Sequence, residues 1–289
     1  MTLLNFLESG DLRHFVKEIS DKYALRTRRS IGQHFMVNKG LIEILITNSE
    51  LKPNDIIIEI GTGIGILTYF LLKNCKKLYT YEIDPLFASL VRKEFIEFDK
   101  KLDIISKDFL NAELPFHNKI ISNLPYNISS PFFHKISMLE QSPEIIVVTL
   151  QREFAKHLCA APATSNYSKI SVYPSYFFNF RTIIEDISPN SFYPPPKVYS
   201  TIVRGDRRQP PNVVKTADFI NFLNHLFCRK HKKVKNNLKP YLKEKFSFEW
   251  KDYFSRLEEL ENMEKQPINL NRDEIFLVYN DIKRNILDK

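Results

Sequence analysis

Asp55-Ile56-Ile57-Ile58-Glu59-Ile60-Gly61-Thr62-Gly63-Ile64-Gly65 is the stretch that decides the fold. Its first six residues form a short, β-branched, nearly unbroken apolar run, the pattern of a strand buried on both faces of a parallel sheet. The run passes directly into a turn that holds three of the chain's seven glycines, and residues 66–74 beyond it have a helical pattern. Glycine at such a turn lets the backbone close tightly and lets a ligand approach with no Cβ in the way. Working outward, strands are predicted at 78–83, 102–105, 119–122 and 144–150. A helix at 85–98 carries apolar Phe87, Leu90, Val91, Phe95 and Phe98. Strands alternating with helices imply right-handed crossovers and an α/β, doubly wound, Rossmann-like parallel sheet.

Open α/β sheets bind ligands beyond the carboxyl ends of their strands. Three features fall there in order. Gly61 and Gly63 follow the first strand, Glu82 closes the second, and Asp108 follows the third. A carboxylate at the position of Glu82 can accept hydrogen bonds from both hydroxyls of a ribose. Asp108 is placed to accept one from an adenine amino group. Singly, each is also an ordinary strand-end carboxylate. The glycine spacing is GxGxG rather than GxGxxG, which fits a nucleotide-type cofactor and is similar to the first motif of S-adenosylmethionine-dependent methyltransferases. The fourth strand ends in Asn123-Leu124-Pro125-Tyr126 on the same edge. The Asn123 side-chain oxygen and the Leu124 carbonyl can accept the two protons of an exocyclic amine, and the Tyr126 ring offers a stacking face. Alone, the tetrapeptide is also a common turn.

Composition bounds the rest. With 43% hydrophobic residues the chain can bury a substantial core. Its three cysteines, Cys75, Cys159 and Cys228, are scattered, which argues for a reducing compartment and against a zinc site. The histidines show no metal-ligand spacing, so no metal is expected. No run of about 18 apolar residues occurs, and 1–21 is interrupted by Glu8, Asp11, Glu18 and Asp21. A cytoplasmic protein, not associated with a membrane, is expected. After Gly205 the pattern becomes helical and basic, with a boundary at Gly205 to Pro211 and helices at 217–228, 231–243 and 272–286. Before it, strands are read at 171–180 and 200–204. The expected domains are an N-terminal extension (1–25), a catalytic domain (26–207) and a small, all-helical C-terminal domain (208–289). Arg229, Lys230, Lys232, Lys233 and Lys235 head a predicted helix whose apolar residues Val234, Leu238, Tyr241 and Leu242 share one face. Its cations are then free to meet phosphates, although a solvated charged face has the same pattern. Arg26, Arg28 and Arg29 form a second basic cluster. The net charge of +8 favours a polyanionic partner.

These motifs together resemble the KsgA-type small-subunit ribosomal RNA adenine dimethyltransferases, relatives of the Erm-type enzymes. The resemblance spans residues 28–289. It includes Gly32-Gln33-His34-Phe35-Met36, the Glu59 to Gly63 loop, Glu82, Asp108 and Asn123 to Ser129. Phe192-Tyr193-Pro194-Pro195-Pro196-Lys197-Val198-Tyr199-Ser200 and the basic run from Phe227 to Leu238 continue it. It implies an S-adenosyl-L-methionine cofactor contacted by His34 and Met36 beside Gly61, Gly63, Glu82, Asp108 and Asn123. It also implies catalysis at Asn123, Leu124 and Tyr126, with the target base stacked between Tyr126 and Phe192. The implied substrate is two adjacent adenines of small-subunit ribosomal RNA, each dimethylated at N6 by a monomeric enzyme acting in ribosome biogenesis. Two departures stand out. His34 replaces the Asn usual in bacterial relatives, resembling the archaeal and eukaryotic branch, and Thr62 replaces Pro. The first 25 residues have no counterpart. Two alternatives are an Erm-type enzyme on large-subunit RNA and a non-catalytic assembly factor on the same fold; the intact Asn123 and glycine loop argue against the second.

Overall fold

The computed structural model describes residues 7–8, 11–23, 34–209, 212–246, 250–258 and 260–287. Gly32, Gln33 and the Arg26, Arg28, Arg29 cluster lie outside them. Among the described residues nine strands are present: β1 (Phe35–Met36), β2 (Ile56–Ile60), β3 (Lys77–Tyr81), β4 (Leu102–Ile105), β5 (Lys119–Asn123), β6 (Ile145–Gln151), β7 (Phe178–Ile187), β8 (Phe192–Tyr193) and β9 (Ser200–Arg207). Seven form one sheet in the order β4-β3-β2-β5-β6-β9-β7, and β1 pairs with β8 in a separate two-stranded ribbon. Strands β2 to β6 are parallel to their neighbours, whereas β9 runs antiparallel to β6, with Gln151 opposite Ser200. The order reverses between β2 and β5. That reversal opens the crevice at the carboxyl ends of the strands where such sheets take their ligands.

Local chemistry explains the elements that frame this crevice. Helix Ile66–Leu72 starts at Gly65, whose φ of 84° is left-handed. A Cβ there would lie 2.8 Å from the Phe95 ring. Helix Pro85–Glu94 begins with a proline, and its cap, Asp84, accepts a hydrogen bond from the Leu86 amide at 3.0 Å. Helix Leu12–Lys22 buries Leu12, Phe15, Val16 and Ile19 in the same apolar core as Ile57, Phe87 and Phe95. Its flanks are tied down as well. The Tyr69 hydroxyl donates to Glu8 at 2.7 Å, and the Tyr23 hydroxyl donates to Glu94. The described part of the N-terminal extension, residues 7–8 and 11–23, is thus built into the catalytic unit.

The chain divides into two compact units, 1–155 with 180–207, and 156–179 with 208–289. Within the second, helices Ala217–Leu226, Val234–Phe246, Trp250–Glu258 and Arg272–Leu287 surround an aromatic core. Phe219 stacks edge-on to Tyr279 at 4.8 Å and to Tyr176 at 5.4 Å. Residues 156–179 group with this unit because Tyr167 and Tyr176 donate hydrogen bonds to the carbonyls of Leu270 and Arg272 at 2.9 and 2.6 Å.

Two expectations about local structure are corrected. The strand read at 171–180 is helical at Lys169–Val172 and Pro174–Tyr176, and the strand begins at Phe178. The basic run 229–233 is a turn, with the helix starting at Val234. Buried Asn237 donates to the carbonyls of Leu226 and Arg229 at 3.0 and 2.9 Å, satisfying backbone acceptors that a continuing helix would have used.

Candidate active site

One cavity at the carboxyl edge of the sheet brings together His34, Met36, Gly61, Gly63, Glu82, Asp108, Asn123, Leu124 and Tyr126. Gly61 and Gly63 have φ values of 80° and 53°. The Gly61 amide donates to the Tyr81 carbonyl at 2.8 Å, and the Gly63 amide donates to Glu82 Oε2 at 2.8 Å. The other Glu82 oxygen accepts from the Asp84 amide at 2.9 Å. Glu82 therefore clamps the glycine loop to the next strand while its remaining lone pairs line the cavity. Burial pushes its carboxyl up, against the pull of those amides. Behind the loop Glu59 is fully enclosed, accepts a hydrogen bond from Thr68 at 2.7 Å, and is pushed up to about 8 by burial. Asp108 caps the short turn Phe109–Asn111, accepting from the Leu110 amide at 2.9 Å.

The decisive geometry is at Asn123. Its Nδ2 donates to the His34 carbonyl at 2.7 Å. A carbonyl can only accept, so this bond fixes which way the amide faces. The other amide atom, Oδ1, is buried with no hydrogen-bond partner among the described residues. An orphaned acceptor of this kind costs about 1–3 kcal/mol unless a ligand supplies a donor. The His34 side chain is itself held, with Nδ1 2.7 Å from the Pro194 carbonyl. Tyr126 sits beside the His34 ring, centroids 5.7 Å apart and planes 30° from parallel. Its hydroxyl is bonded to Ser200 Oγ, and burial raises its phenol above the ordinary value.

Phe192 is not brought to this cavity. It pairs in register with Met36 across the β1–β8 ribbon and is wholly buried in the apolar core. A ring enclosed on both faces by protein has none to offer a base. Of the five cations expected to face nucleic acid, Lys230 donates to the backbone carbonyls of Ser165 and Tyr167, and Lys233 and Lys235 both pair with Glu264. Arg229 and Lys232 are exposed. Among the described residues no three His, Cys, Asp or Glu side chains group to hold a metal.

Sequence reading missed Ser200, Pro194 and Ile83. Ser200 and Pro194 lie in the Phe192–Ser200 motif, but their roles, a hydroxyl on Tyr126 and a carbonyl on His34, come from contacts far along the chain. Ile83 could have been found, as a large apolar residue directly after a strand-end carboxylate. It lines the cavity with 62% of its surface open, suited to cover a flat ring.

The residues fit S-adenosylmethionine: left-handed glycines give backbone access, Glu82 and Asp108 offer carboxylate acceptors, and Ile83 adds an exposed apolar side chain to the same cavity. Fold and cavity together define an S-adenosylmethionine-dependent methyltransferase. The model of the family described as "Ribosomal RNA adenine dimethylase" matches residues 24–279. The chain belongs to that family. It is 38% identical over 213 residues to a "Ribosomal RNA small subunit methyltransferase A" of Mesomycoplasma hyopneumoniae, covering 73% of this chain and 81% of the relative. It is 36% identical over 224 residues to a "Probable ribosomal RNA small subunit methyltransferase A" of Methanococcoides burtonii, covering 76% and 80%. Among solved structures, a dimethyladenosine transferase from Plasmodium falciparum superposes with a TM-score of 0.76 at 27% identity, over 87% of this chain and 98% of that one.

Proposed function

We propose that this protein dimethylates N6 of adenines in small-subunit ribosomal RNA, two adjacent adenines being the target. The observation that carries this reading is the Asn123 amide. Its nitrogen is committed to His34, leaving a buried, unpaired oxygen in the cavity that also holds the glycine loop. When bound, S-adenosylmethionine supplies a methyl group on a sulfonium, an electrophile strong enough to need no further activation.

The chain's task is to present the nucleophile. The N6 lone pair of adenine is delocalised into the ring. Asn123 Oδ1 and the Leu124 carbonyl accept its two protons, favouring a pyramidal nitrogen with its lone pair exposed. Alignment within about 3–3.5 Å can supply roughly 7–11 kcal/mol of the barrier. The product ammonium is acidic enough to lose its proton to water, so no general base is required. Bringing the adenine out of its stack costs a few kcal/mol, and the Tyr126 ring returns about 1–3 kcal/mol by stacking. Ser200 keeps that ring from rotating away.

The helical unit engages the ribosomal particle through Arg229 and Lys232. The enzyme acts as a monomer in the cytoplasm, where its three free cysteines stay reduced. The test is mass spectrometry of ribosomal RNA after incubating separate small and large subunits with the protein and methyl-labelled donor. N6,N6-dimethyladenosine in the small-subunit RNA is expected. Label confined to the large subunit, or to another atom, overturns the reading.

A further inference from the structure

The segment between β8 and β9 is pinned at both ends to the base-binding turn. At one end the Pro194 carbonyl accepts from His34, whose own backbone carbonyl holds Asn123; at the other, Ser200 holds the Tyr126 hydroxyl. Between these anchors Lys197, Val198 and Tyr199 are exposed, with Tyr193 exposed beside Pro194. Five residues lie between Tyr193 and Tyr199, so their Cα atoms are at most about 20 Å apart. Tyr193 and Tyr199 are 38% and 45% open.

Tyr199 is not a loose surface ring. The Arg152 guanidinium lies 5.2 Å from its centroid, and the Arg152 amide donates to the Tyr199 carbonyl at 3.0 Å. Arg152 is fixed in turn by Asp186 at 3.0 Å and Glu153 at 3.1 Å. A cation under one face holds the ring and leaves the opposite face open. Such a ring is preorganised to stack on another flat, electron-poor system at little entropic cost.

We infer that Tyr199, braced by Arg152, forms with Tyr193 and Lys197 a stacking platform for the unpaired RNA nucleotides that flank the target adenine. Bases offer a π-face whatever their identity, and Lys197 supplies charge for the accompanying phosphate. Pro194 and Ser200 tie this segment to His34 and Tyr126, which line the cavity, so flanking nucleotides would be gripped while the adenine enters the pocket. This rests on the reading of the protein as an RNA adenine methyltransferase, and it assigns these residues to substrate grip rather than to chemistry.

The test compares the full-length protein with Tyr199→Ala, Tyr199→Phe and Lys197→Ala on unmethylated small ribosomal subunits. Affinity for S-adenosylhomocysteine is measured by calorimetry on the same preparations. Tyr199→Ala is expected to raise KM for the subunit roughly tenfold, with kcat at saturating RNA and S-adenosylhomocysteine affinity unchanged. Tyr199→Phe, which keeps the ring, should restore KM. Lys197→Ala should lower the slope of log affinity against log salt by about one. An unchanged KM in Tyr199→Ala overturns the platform, as does a parallel loss of S-adenosylhomocysteine affinity, which would mark a general disturbance of the fold. If the native protein methylates no adenine in either subunit, the functional reading itself fails, and the platform fails with it.

Discussion

Replacing Asn123 by Ala separates catalysis from folding, because the structure assigns its two amide atoms opposite energetic signs. Nδ2 makes one good hydrogen bond to the His34 carbonyl, worth a net of about 1 kcal/mol. Oδ1 is buried without a partner, a standing penalty of about 1–3 kcal/mol that the substitution removes. The two contributions oppose one another and differ by at most about 2 kcal/mol, so Tm should move by no more than about 8 °C. Activity should fall far more. Loss of one preorganised hydrogen-bonding group aimed at the reacting centre typically costs about 100- to 1000-fold in kcat. The assay pairs thermal unfolding followed by circular dichroism with single-turnover methyl incorporation at saturating donor and RNA. A Tm decrease of more than about 8 °C would show that Asn123 is chiefly a structural strut. Turnover within tenfold of the parent would show that the orphaned oxygen is not where the adenine amine docks. Either result would refute the reasoning.

Three further outcomes are expected. Glu59, whose carboxyl is raised to about 8 in the fold against 4.5 in the unfolded chain, holds a proton that the unfolded chain releases above pH 4.5. Its stabilisation is complete below that pH and is lost towards pH 8, at up to about 1.4 kcal/mol per pH unit; Glu59→Gln should flatten this part of the stability profile in urea titrations, and an identical profile would remove the assignment. In the helical unit Asp218 accepts from Tyr279 at 2.7 Å and Tyr241 at 3.1 Å, and pairs with Lys245 and Lys283. Asp218→Asn should destabilise that unit by roughly 2 kcal/mol, read from the fluorescence of the chain's sole tryptophan, Trp250; the Asp218 carboxyl is held well below its usual range, so its contribution exists above pH 3.8 and disappears only in stronger acid. For RNA binding, Arg229→Ala and Lys232→Ala should each lower the salt slope by about one, whereas Lys233→Ala, whose ammonium is already paired with Glu264, should lower it less. Equal effects would mean that the ion pair opens on binding.

The parallel half of the sheet could be read because its strands are buried on both faces. Ile56 to Ile60 and Ile145 to Leu150 are almost uninterrupted apolar runs, and each ends at a chemically distinctive residue. The antiparallel side was harder. β7 mixes Arg181, Glu185 and Asp186 into its apolar residues, and β1 and β8 are two residues long and exist only through their mutual pairing. Phe192 shows the same limit. An aromatic beside a proline motif reads equally well as a stacking ring or as core, and packing against the β1 ribbon settles it as core. The basic run 229–233 reads as a helix by composition, but the buried amide of Asn237 gathers the preceding carbonyls into a turn, a side-chain bond that periodicity does not reveal.

The helix Leu12–Lys22 lies ahead of the residues that the family model matches, yet its oily side is seated in the catalytic unit. A version of the enzyme shortened to begin at residue 24 would therefore bare a greasy trough near Tyr69 and Glu94, the sort of patch through which copies clump. Anyone trimming this protein to the family model's bounds should expect a sticky product and should leave the leading helix in place.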